Sequence, residues 1–68
     1  MNEIIFVVSE APEGGYSARA LEHSIFTEAD ELPELRALIR DAVQCHFEPG
    51  ESPIVIRLHF VREEVMSA

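Results

Sequence analysis

Apolar residues are spaced differently in each part of the chain, and the spacing predicts the elements. Residues 4–8, IIFVV, are apolar at consecutive positions and rich in β-branched and aromatic side chains, which predicts a strand within residues 1–9. A run without alternation points to a strand covered on both faces, and so to a central one. Residues 10–15, EAPEGG, carry Pro12 and a Gly-Gly pair and read as a turn. Residues 16–21, YSARAL, alternate between larger or apolar and polar side chains. They predict a second strand, antiparallel to the first across a hairpin. Glu22 and His23 break the alternation, and residues 24–27, SIFT, read as a short third strand.

Residues 27–48 follow the helical period. With Leu35 as origin and about 100° per residue, Ile39, Ala42 and His46 lie on one stripe. Leu38 and Cys45 flank it on one side, and Leu32, Val43 and Phe47 on the other. Such a broad apolar stripe covers a sheet. The helix starts at Asp30 or Glu31, with Asp30 the better N-cap because its short side-chain oxygen can accept from first-turn amides. Pro33 fits the first turn, where its missing N–H costs nothing. Pro49-Gly50 predicts the stop.

The clearest alternation follows. Ile54, Ile56, Leu58 and Phe60 point one way, towards the helix, and Val55, Arg57, His59 and Val61 the other. The second set is too apolar for a fully solvated face. With either Ile5 and Val7, or Ile4, Phe6 and Val8, the two valines make a partly apolar second face that a single helix leaves open. Two readings stand: the face is covered by another copy or a partner, or its valines only reflect β-propensity. Val55, Arg57, His59 and Val61 are the candidate oligomer or partner face. Residues 62–68, REEVMSA, either extend the strand or form a helical turn.

Sixty-eight residues make one domain, residues 1–68. A domain of this size buries only ~60% of its unfolded surface, and its single cysteine, Cys45, excludes an internal disulfide. A homodimer or higher homo-oligomer is therefore expected. Thirteen acidic against five basic residues give a net charge of −8. That excess argues against direct nucleic-acid binding and against anionic membranes, and it suits a basic protein partner. No stretch has signal-peptide or transmembrane character, and with one cysteine the expected compartment is the cytoplasm.

The order of elements resembles the N-terminal domain of HicB-type antitoxins and their solitary HicB-like relatives. Residues 13–18, EGGYSA, look like that family's "EGGYxA" hairpin, and residues 27–35, TEADELPEL, like its "TxGDTxEEA" helix entry. The likeness spans residues 3–61 as an arrangement. It departs at residues 21–24, LEHS, where the family usually has a Pro-Gly turn, and at Ala68, beyond which the family's full-length antitoxins continue into a DNA-binding domain. The resemblance implies an α+β fold, β-β-β-α-β. Its four-stranded sheet has order 3-2-1-4, strand 4 lies parallel to strand 1 through a right-handed crossover, and one helix packs on one face. It also implies a non-catalytic interaction domain that masks a small basic toxin ribonuclease. The alternative is a self-associating domain with no toxin partner.

The chemically active residue types read mostly as structural. His46 is expected at the core edge, hydrogen-bonded to backbone. Cys45 is expected to be a buried, inert thiol, and His23 a loop residue. Arg57 and His59 either meet an acidic partner or bridge to glutamates within a dimer, the second being preferred. Carboxylates cluster at Asp30, Glu31 and Glu34, at Glu48 and Glu51, and at Glu63 and Glu64, and read as solvated charge. Gly14-Gly15 lacks the pattern of a phosphate loop. No catalytic residue, metal or cofactor is expected.

Overall fold

The computed structural model describes residues 2–62 and 64–68. Met1 and Glu63, which fall in the first-strand run and in one of the acidic clusters, lie outside them. The elements are β1 (Glu3–Glu10), β2 (Tyr16–Ala20), β3 (Phe26–Ala29), α1 (Leu32–His46) and β4 (Val55–Val61). They form one sheet of order β3-β2-β1-β4. β2 runs antiparallel to β1 and to β3, and β4 runs parallel to β1 through the crossover that contains α1. This is the α+β arrangement expected.

β1 is the central strand. Its Ile4, Phe6 and Val8 are buried, while Ile5 and Val7 on the opposite face are only partly so. This settles which residues of the run face the helix. Phe6 and Val8 pair across β2 with Ala20 and Ala18, and Ile4, Phe6 and Val8 pair across β4 with Ile56, Leu58 and Phe60. The core is completed by Leu35, Ile39 and Val43 of α1 and by Ile25.

The helix is rolled relative to the expected stripe. Leu35, Ile39 and Val43 are buried with Leu32 and Phe47 packed beside them, whereas His46 is exposed. The inner side is therefore the Leu32–Val43–Phe47 flank, and Leu38 and Cys45 turn to solvent. Cys45 is thus exposed rather than buried. The roll follows from what lies underneath, because α1 sits over β2 and β3 and not over β4. Ile56 and Leu58 are half-covered, and Phe60 and Ile54 are exposed although their parity is that of the helix side. Glu31 rather than Asp30 is the N-cap residue, with no side-chain cap. Instead the Glu34 carboxylate accepts from the Asp30 amide at 3.2 Å, a reach-back related to the capping box.

The third strand starts two residues later than expected. In the turn before it, the Ala20 amide donates to the Ile25 carbonyl at 3.0 Å. This closes residues 21–25 into a loop and drops the Ile25 side chain into the core at 7% exposure. The tail is neither strand nor helix among its described residues, and Val65 and Met66 are exposed.

The β1–β2 hairpin turns through residues 11–15. The Gly14 amide donates to the Ala11 carbonyl at 3.0 Å and the Ala11 amide to the Gly15 carbonyl at 2.9 Å. Pro12 thus takes the second position of the turn, which its fixed φ favours. Gly14 and Gly15 follow with φ of 103° and 90°, conformations that an L side chain resists. A Cβ on Gly14 meets nothing and one on Gly15 meets the Ala29 carbonyl oxygen at 3.5 Å, an ordinary contact. The cost of Gly14→Ala or Gly15→Ala is therefore backbone strain alone, and each should lower stability by about 1–2 kcal/mol in urea unfolding.

Candidate functional site

Val55, Arg57, His59 and Val61 stand together on the sheet face opposite α1, as their alternation predicts. They pair with Glu3, Ile5, Val7 and Ser9 of β1. The same face continues through Arg19 and Ser17 of β2 to Phe26 and Glu28 of β3. Its rows are mixed in character, and one row reads Phe26, Arg19, Val7, His59. Among the described residues no helix or strand covers it.

Arg57 is tied down within its own chain. Its Nη2 donates to Glu3 Oε2 at 2.8 Å, an intrachain bridge. The hydrogen bond from Arg57, reinforced by its charge, holds the Glu3 carboxyl below the ordinary carboxylate range. The same bond to Glu3 raises the Arg57 guanidinium further. The pair favours the folded chain above the ordinary carboxylate pKa and loses that contribution as acid protonates Glu3. Both groups are solvated, so the pair orients the arginine more than it stabilises the fold.

A second surface wraps the β3 edge at the hairpin end and shares Phe26 and Glu28 with the open face. There an open concavity of about 660 Å³ runs from the Gly-Gly turn across β3 to the first half of α1. Glu10, Glu13, Glu28, Asp30 and Glu34 line it together with the partly apolar Tyr16, Phe26 and Leu38. Phe26 is 62% and Leu38 40% exposed. Five carboxylates around two solvated apolar side chains form a negative field with an anchoring point inside it. Sequence clusters identified only Asp30 and Glu34 of this set. Glu10 and Glu13 arrive through the hairpin and Glu28 through β3, so only the fold brings them together.

The histidines take other places. His23, in the β2–β3 loop, lies edge-on to His46 and Phe47, with ring centroids 5.5 and 5.0 Å away. His46 packs edge-on against Phe47 at 5.0 Å, so aromatic packing replaces the backbone hydrogen bond expected of it. The Nε2 of His23 is buried without a partner among the described residues. His59 lies on the open face of β4, paired with Val7 of β1. No group of three or more His, Cys, Asp or Glu is arranged to hold a metal ion among the described residues. No helix there is long and apolar enough to cross a membrane.

No family model matches the chain, and no solved structure gives a significant match. Two curated proteins do. A UPF0150 protein of Archaeoglobus fulgidus is 58% identical over 50 residues, which cover 74% of this chain and 74% of that protein. A UPF0150 protein of Thermotoga maritima is 41% identical over 61 residues, covering 90% of this chain and 86% of the other.

Proposed function

The chain belongs to the UPF0150 family, and from that premise we propose that it is a non-catalytic, HicB-like interaction domain that binds and masks a small basic protein. The observation that carries this reading is the acidic concavity. Its five carboxylates, Glu10, Glu13, Glu28, Asp30 and Glu34, attract and orient a Lys/Arg-rich surface. Phe26 and Leu38 supply the desolvated anchor that such interfaces need for a slow off-rate. The HicB resemblance of the hairpin and helix entry names the class of partner, a toxin ribonuclease. The same reading places the protein in the cytoplasm, supported by its lone cysteine.

The test is recovery of the tagged protein from its host lysate at moderate salt. The expected result is a stoichiometric small basic protein that cleaves RNA once released. Glu28→Lys combined with Glu34→Lys should weaken that complex by about tenfold or more. Retention of full affinity by this variant would overturn the concavity as the binding surface. Bait alone, recovered as a defined oligomer, would favour a second reading, a self-associating domain without a toxin partner. The exposed open sheet face and the bare edge of β4 supply the observation on its side.

A further inference from the structure

The sheet ends in two edges of different character. β3 has four residues, carries Glu28 and borders the acidic concavity. Short length and charge are the devices that keep an edge from pairing with another chain. β4 has neither. Its seven residues, VIRLHFV, hold no proline, lysine or carboxylate. Their register with β1 runs unbroken from Glu3–Val55 to Ser9–Val61, so no bulge twists the edge away. Val55, Phe60 and Val61 are each about half exposed, at 45%, 52% and 46%.

We propose that the free edge of β4 docks a second copy of this chain, antiparallel about a two-fold axis through Leu58. Charge is the first argument. The chain carries −8, so most contacts between two copies set carboxylate against carboxylate. Residues 52–62, SPIVIRLHFVR, form a stretch of eleven without an acid, and two arginines lie in it. A second copy meets least repulsion there.

Register is the second argument. An isologous pair about an axis normal to the sheet places both helices on the same side and sets residues of like parity opposite each other. Centred on Leu58, all seven positions pair. Leu58 meets Leu58, Ile56 meets Phe60, Arg57 meets His59 and Val55 meets Val61. A centre on Arg57 sets two guanidiniums face to face, which is unfavourable, and a centre on His59 leaves Val55 and Ile56 without a strand partner. Only the Leu58 register fills the edge without opposing like arginines.

A gap separates α1 from β4. α1 leaves a cavity of about 170 Å³ lined by Arg36, Ile39, Arg40, Ile56 and Leu58. The Leu58 register brings the second copy's Phe60 beside Ile56, at the mouth of this cavity. It gives cover to a side chain whose parity is that of the core and which one chain leaves in water. This edge is separate from the acidic concavity, so the inference stands whichever partner that surface takes.

The experiment is sedimentation equilibrium of the full chain, combined with cysteine cross-linking in a Cys45→Ser background. The wild type should run at twice the chain mass of 7.7 kDa. Phe60→Lys and Val61→Lys, at positions exposed in one chain, should each weaken the dimer by about tenfold or more with unchanged circular dichroism. Phe26→Lys on the β3 edge should leave it intact. Leu58→Cys should form an intermolecular disulfide and Ile56→Cys should not, since the two Ile56 positions lie about 14 Å apart along the strands. A monomeric wild type, protected at β4 only when a different protein is added, would overturn the proposal. So would a dimer that survives both lysine variants, or one that cross-links through Ile56→Cys.

Discussion

Phe6→Ala is expected to remove a large share of the stability of the chain. Phe6 is fully buried at the centre of β1, with Ala20 opposite it on β2 and Leu58 opposite it on β4. Truncating a buried phenylalanine costs about 3–5 kcal/mol, the sum of lost transfer energy and the cavity left behind. The upper part of that range applies, because the neighbours on the β2 side are Ala18 and Ala20 and cannot swing into the space. A chain of 68 residues has a total stability of roughly 3–10 kcal/mol at typical values per residue. One side chain therefore accounts for a large share of the fold. In urea titration the midpoint should fall by about a third or more of its wild-type value, and the thermal transition should drop by at least roughly 12 °C. A shift of only a few degrees would mean that Phe6 is not the keystone its burial makes it.

The residues that carry this prediction were readable in the sequence, and those that form the acidic concavity were not. The consecutive run IIFVV marks a central strand, and the alternation of residues 54–61 separates Ile56, Leu58 and Phe60 from Val55, Arg57, His59 and Val61. Both signals are local, because side-chain direction in a strand depends only on parity. The strand order and the parallel pairing of β4 came from the resemblance of the hairpin and helix entry, since parity says nothing about neighbours. Where the outcome depends on the surface beneath an element, the pattern fell short. The period of α1 put His46 on the stripe and Val43 on its flank, and the position of α1 over β2 and β3 reversed the two. The same choice exposed Cys45. Ile25 reads as a strand residue because β-propensity cannot distinguish it from a loop residue folded inward. The Arg57–Glu3 pair and the convergence of Glu10, Glu13, Glu28, Asp30 and Glu34 join positions far apart in the chain, and no window along the sequence contains them.

Leu35→Ala should cost about 2–5 kcal/mol, whereas Leu38→Ala should cost almost nothing. The two changes remove the same atoms from the same helix, three residues apart. Leu35 is fully buried and Leu38 is 40% exposed at the rim of the acidic concavity. Alanine is also the better helix former, which offsets part of whatever Leu38 loses. The difference between the two variants therefore isolates burial from propensity and reports the roll of α1 directly. The stripe expected from the period alone also puts Leu35 at its centre, but it sets Leu38 and Val43 on equal flanks. The observed roll separates them, so Val43→Ala should fall with Leu35→Ala and Leu38→Ala with the wild type when urea midpoints are compared. Equal losses at residues 38 and 43 would place the helix back on the symmetric stripe. That outcome would move Leu38 away from the concavity and remove one of the two apolar anchors on which binding of a basic partner depends.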